Sequence, residues 1–170
     1  KDVSPTPSNF HTFQSPALDS INYWFLNKSI NLYGEALVKV IAYEKEKMGS
    51  TEKGIQIIKD FWAKNGIEAS ALNIKDGSGL SPANRVTTKS LVQVLQFAKK
   101  QNWFASFYNA LPEMNGIKMK DGFISDVRSY AGYIKSKSGA NYIFSFIVNN
   151  FNGSASTARE KIWKLLDLLK

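Results

Sequence analysis

The sequence contains no cysteine and a single histidine, His11, in a polar stretch near its start. Disulfides and thiolate chemistry are therefore excluded, and one imidazole cannot build a metal centre or a Ser-His-Asp triad. Neither a metal ion nor an organic cofactor is implied, and any nucleophilic chemistry must be of the serine-lysine kind. Long apolar runs are missing too. The longest, Tyr142 to Val148, has the length of a strand, far short of the ~20 residues that cross a bilayer. The sequence has no internal repeat and no clustering of its positive charge. Lys and Arg outnumber Asp and Glu by 22 to 14, a formal net charge of +8. Yet Lys45, Lys47, Lys53, Lys59 and Lys64 alternate with Glu44, Glu46, Glu52 and Asp60, as on a solvated helix face. With no Arg-rich stretch and no RNA-binding aromatic motif, nucleic acid is not an expected partner.

What is present is ordinary globular composition, 44% hydrophobic and 21% charged over 170 residues, enough for one domain with a real core. The chain opens on Lys1, and Asp2 to Pro16 is rich in Ser, Pro, Thr and Asn. Residues 1–16 therefore read as a leader or linker and residues 17–170 as the folded part.

Leu18 to Leu26 carries a dense apolar face, and a second periodic stretch runs from Leu32 to about Met48, with Gly49 as its stop; both predict helices. Ser50 or Thr51 caps a third helix that Gly66 ends. Asp76-Gly77-Ser78-Gly79-Leu80-Ser81-Pro82 is turn chemistry throughout and must be a loop. Thr87 or Thr88 then caps a helix bearing Leu91, Val94, Leu95 and Ala98, and Trp103 to Leu111 forms another, closed by Pro112. After Pro112 the period becomes alternating. Ile117 to Ile124, Val127 to Ser136 and Asn141 to Asn149 predict three antiparallel strands. Tyr142 to Val148 is apolar on both faces, the pattern of a strand buried in mid-sheet. Thr157 to Leu169 sets Ile162, Leu165, Leu166 and Leu169 on one stripe, a helix expected to pack on the sheet. Helices, then antiparallel strands, then a closing helix give an α+β fold class.

Three segments carry chemistry. Ser29-Ile30-Asn31 at the junction of the first two helices could be no more than a pair of caps. The longer string Asn27-Lys28-Ser29-Ile30-Asn31-Leu32-Tyr33-Gly34-Glu35-Ala36-Leu37, however, resembles the N-K-x-S-D-N-L-Y-A-E-x-L segment of the low-molecular-mass class C penicillin-binding proteins, the D-Ala-D-Ala carboxypeptidase/endopeptidase family. Asp76-Gly77-Ser78-Gly79-Leu80-Ser81, followed by Asn84 and Arg85, is similar to that family's D-G-S-G-L-S segment. Lys120-Asp121-Gly122, running on to Val127 and Ala131-Gly132-Tyr133, is similar to its K-T-G strand pair, with Asp121 where the family has Thr or Ser. The stretch from Pro112 to Lys120 is shorter than the family pattern.

The resemblance implies part of the serine β-lactamase/DD-peptidase fold, with two of the three motifs of its active site. The third, S-x-x-K, which carries the nucleophilic Ser, has no counterpart. Ser50-Thr51-Glu52-Lys53 has the spacing but follows the S-x-N instead of preceding it. The chain is thus expected to be the C-terminal part of a serine-type D-Ala-D-Ala carboxypeptidase/endopeptidase, and inactive alone. The implied substrates and ligands are peptidoglycan stem peptides and β-lactams. The implied location of the parent is periplasmic or otherwise exported, its signal upstream.

The resemblance gives Ser29 a proton relay to the leaving group, Asn31 a hydrogen bond to substrate and to the catalytic Lys, and Lys120 positive charge for the substrate carboxylate. Asp121 and Gly122 line the substrate strand, and the N–H of Phe123 is one oxyanion donor. Asp76, Gly77, Ser78 and Gly79 frame the site. The last strand, which pairs in the family fold with an N-terminal strand, is expected to expose one edge, a surface for self-association. The alternative reading, supported by Asp121, is a degenerate member of the same fold that binds peptidoglycan or a partner without cleaving it.

Overall fold

The computed structural model describes residues 11–170. Most of the predicted 1–16 leader lies outside the described residues, and residues 11–17 carry neither helix nor strand. Six helices follow where period and caps place them. Helix α1 spans Leu18–Lys28 and α2 spans Asn31–Glu46. Helix α2 ends three residues before Gly49, on Lys47 in the left-handed conformation, whose N–H bonds the Tyr43 carbonyl. Helix α3, Thr51–Lys64, starts at Ser50, whose hydroxyl accepts from the Lys53 N–H. Thr87 does the same for the Ser90 N–H at α4, Thr88–Lys99. Ser154 accepts from Thr157 N–H at α6, Ala155–Asp167, while α5, Phe104–Ala110, has no side-chain cap. Each hydroxyl supplies an acceptor to a first-turn N–H that the helix itself leaves unpaired.

The predicted strands appear as β4 (Ile117–Ile124), β5 (Val127–Lys135) and β6 (Asn141–Asn149). They belong to a four-stranded antiparallel sheet, because a two-residue strand β3, Glu113–Met114, pairs with Ile117 and Lys118 through a tight hairpin at Asn115-Gly116. Both hairpin residues have positive φ, 52° and 65°, which Asn and Gly adopt most readily. The shortened stretch before Lys120 is this hairpin. A second ribbon, β1 (Leu72–Asn73) with β2 (Arg85–Val86), closes the base of the Asp76–Pro82 loop.

The sheet lies between two cores. On one face Ile117, Met119, Tyr130, Ile134 and Phe144 pack against Ile162 and Leu166 of α6. On the other, Tyr133, Ala131 and Ile143 meet Leu95 of α4, Leu111 and the rings of Phe104, Phe107 and Tyr108. The Tyr133 hydroxyl donates to the Leu95 carbonyl at 2.8 Å, and burial pushes its pKa up. Strand β6 is not in mid-sheet. The strand order is β3-β4-β5-β6, so among the described residues β6 is an edge. Its apolar faces are explained by helices above and below, α4 on one side and α6 on the other, and not by lateral neighbours.

Candidate active site

Ser29 follows the last residue of α1 at φ 54°, ψ 46°, and this left-handed step turns the chain so that Asn31 opens α2. Both residues are exposed. One turn further on, Glu35 reaches the Asp76–Gly79 loop. Its Oε1 accepts from the N–H of Gly77 (2.8 Å) and of Ser78 (3.1 Å), and its Oε2 accepts from the Thr51 hydroxyl at the start of α3 (3.4 Å). Helix and loop touch so closely here that a Cβ on Gly34 would lie 2.1 Å from the Gly77 oxygen, and one on Gly77 would lie 2.3 Å from the Gly34 oxygen. Only two glycines allow this backbone-to-backbone contact.

Asp76 organises the rest of the loop. One carboxylate oxygen accepts from Gly79 N–H and the Ser78 hydroxyl, the other from Ser81 N–H and the Asn84 side-chain amide. Burial pushes its pKa up, but these four donors outweigh it and hold the carboxyl below its ordinary range. Asn84 completes the knot by accepting from Lys75 N–H at 2.7 Å.

The loop forms one wall of a groove of about 790 Å³. Gly79, Ser81 and Arg85 line that wall, and Gly122, Phe123 and Ser129 stand across from it. Gly122 pairs with Ser129, and a Cβ on Gly122 would come within 2.6 Å of the Ser129 hydroxyl. The groove thus brings Gly79 together with Gly122 and Phe123. Ser29, Asn31, Lys120 and Asp121 are not in its lining, and none of the four hydrogen-bonds across to the other motif.

Strand β4 presents a free edge. The Met119 N–H donates outward to the Pro112 carbonyl at 3.1 Å, and β3 pairs no further than Lys118. Because successive peptide groups alternate in direction, Asp121 and Phe123 turn their N–H and C=O groups to the same side, where no described strand covers them. Lys120 Nζ sits at this edge, donating to the Asp121 carbonyl (3.1 Å) and to Asp121 Oδ1 (3.2 Å). Arg128 Nη1 lies 3.7 Å from the other carboxylate oxygen, and its guanidinium stacks on the rings of Phe123 and Tyr130. Asp121 is therefore held between two cations. Sequence reasoning misses Arg128 and the clamp made by Glu35; the signals for Glu35 are its match to the Glu of the family segment and its place one turn after the S-x-N.

The Ser50–Lys53 spacing is a helix cap. Lys53 Nζ is drawn to the exposed surface by Glu46, away from the Ser50 hydroxyl that its own N–H engages. Among the described residues no cluster of His, Cys, Asp and Glu could hold a metal, and no helix is long and apolar enough to cross a membrane.

The sequence model of the D-Ala-D-Ala carboxypeptidase 3 (S13) family matches residues 5–116. The chain belongs to this family. A D-alanyl-D-alanine carboxypeptidase of Actinomadura sp. (strain R39) is 28% identical over 165 residues, covering 85% of the chain and 30% of the relative. Among solved structures, penicillin binding protein 4 of Haemophilus influenzae, complexed with a β-lactam, superposes with a TM-score of 0.76 at 21% identity over 89% of the chain and 41% of its own. A predatory peptidoglycan endopeptidase from Bdellovibrio bacteriovorus gives 0.62 at 17% identity, over 89% and 42%. The fold is that of the penicillin-binding DD-peptidases, and the S13 chain spans less than half the length of each of these relatives.

Proposed function

We propose that this S13 chain forms the leaving-group and substrate-binding side of a serine-type D-Ala-D-Ala carboxypeptidase/endopeptidase acting on peptidoglycan stem peptides. The observation that carries the reading is the Glu35 clamp, which ties the S-x-N helix to a loop whose far side faces Gly122 and Phe123 across one groove. A peptide added to the free edge of β4 would run main chain to main chain past Lys120 and Phe123. In that position the Phe123 N–H is directed to where an oxyanion would form, Lys120 supplies positive charge, and Ser29 and Asn31 serve the leaving amine and the substrate amide.

Acyl transfer of this kind also needs a nucleophilic Ser, its Lys and a second oxyanion donor, which a longer protein containing this chain would supply. Stem peptides and β-lactams are the ligands this reading calls for, and their place outside the cytoplasm makes the parent an exported protein. A non-catalytic peptidoglycan-binding role is the second reading, favoured by Asp121, whose carboxylate occupies the ammonium of Lys120.

A fluorescent penicillin applied to the full-length parent separates the two. Covalent labelling supports the enzyme, no labelling with stem-peptide binding supports the second reading, and neither result overturns both. The 170-residue chain alone should show no penicilloyl mass increase, since without the nucleophile the covalent route is closed. A stoichiometric adduct on any Ser would overturn the assignment of the nucleophile to a longer protein.

A further inference from the structure

At the open edge of β4 the three charged side chains are not equally accessible. Asp121 is the most exposed at 36%, Lys120 follows at 27%, and Arg128 is recessed at 13%. The most accessible of the three is therefore an acceptor-only carboxylate, with the Lys120 ammonium 3.2 Å and the Arg128 guanidinium 3.7 Å from it. A ligand carboxylate has no hydrogen to donate to Asp121, and competes with it for Lys120. A ligand ammonium has donors but faces two cations. A primary carboxamide satisfies both sides: its NH2 donates to Asp121 and its oxygen accepts from Lys120.

We infer that this edge selects peptides whose terminal group is a neutral carboxamide over those ending in a free carboxylate. Arg128 is the positioning residue that makes this selection hold. Stacked on Phe123 and Tyr130, its guanidinium lies 3.7 Å from Asp121 Oδ2 and holds that carboxylate beside the strand. The inference rests on the reading of the β4 edge as the substrate edge, and substitutes a different terminal group for the one the K-T-G pattern accepts.

The test uses the 170-residue chain with two peptides, one ending in D-Ala-D-Ala and the other in its C-terminal carboxamide, titrated by NMR on the amides of Gly122 and Phe123. The carboxamide should bind at least fivefold more tightly, and Asp121→Asn should bring the two affinities within about twofold. Asp121→Thr, the family's own residue type, serves as a second uncharged variant if the Asn chain folds poorly. Shifts at the edge with equal or tighter binding of the carboxylate peptide would overturn the inference and leave the edge assignment standing. No shift at these amides with either peptide would overturn both.

Discussion

The loop that walls the groove depends on two carboxylates, and they differ in what they do. Glu35 accepts three hydrogen bonds from two other elements, so Glu35→Ala should leave the N–H groups of Gly77 and Ser78 unpaired. At partial burial the loss should be about 1–2 kcal/mol, read in urea unfolding, with faster amide exchange at both residues. Glu35→Gln keeps an acceptor oxygen and should recover most of it. Unchanged exchange in the Ala variant would mean that the glycine contact alone holds the loop.

Asp76 works within the loop and should respond to pH. Its pKa is depressed in the folded state, so its contribution is full above the unfolded value of ~3.9 and is lost as pH falls through the lower folded value. Thermal stability should therefore drop on acidification below about pH 4, and Asp76→Asn should flatten that part of the profile. An identical acid limb in the Asn variant would assign the effect elsewhere. At this scale the sequence showed the motif residues but not their partners. Asp76 and Glu35 stood in plain view as letters, while the donors that fix them lie up to 43 positions away in the chain.

Elements were more legible than contacts, because caps and periods are local. Ser50 and Thr87 begin helices where a short polar side chain precedes an apolar repeat, whereas α6 starts two residues before the expected Thr157, capped by Ser154. The pairs β1–β2 and β3–β4 escaped because two residues carry no period. For β6 the apolar pattern pointed to mid-sheet while the family resemblance pointed to an open edge, and the strand order has the edge: the pattern reports what lies above and below a strand and is silent about what lies beside it. Between elements, the hydrogen bond from Tyr133 to the Leu95 carbonyl joins β5 to α4. Tyr133→Phe should remove the second hydrogen bond to a carbonyl that the helix already pairs, costing about 0.5–1.5 kcal/mol. The urea midpoint should fall with the slope unchanged, and an unaltered midpoint would show that the ring, not the hydroxyl, makes this junction.

For the whole molecule, the open side of β6 is the feature with the widest reach. Its outer backbone groups have no strand to pair with among the described residues, and Tyr142 at its start is 43% exposed. Such an edge pairs with other chains unless charge blocks it. Sedimentation should show association rising with concentration, and Tyr142→Lys should suppress it. A strictly monomeric chain at high concentration, with slow amide exchange along both sides of β6, would mean that the edge is protected from within.

Ser29 occupies a seat that helices usually give to glycine. A left-handed backbone costs an L-residue roughly 1 kcal/mol or more, about a fivefold handicap on the folded population for a single side chain. Glycine would take the same bend with less strain. What glycine would forfeit is one hydroxyl at the head of α2. Ser29→Gly should therefore keep the bend and lose only that hydroxyl, just as Lys47→Gly would keep the equivalent bend at the end of α2.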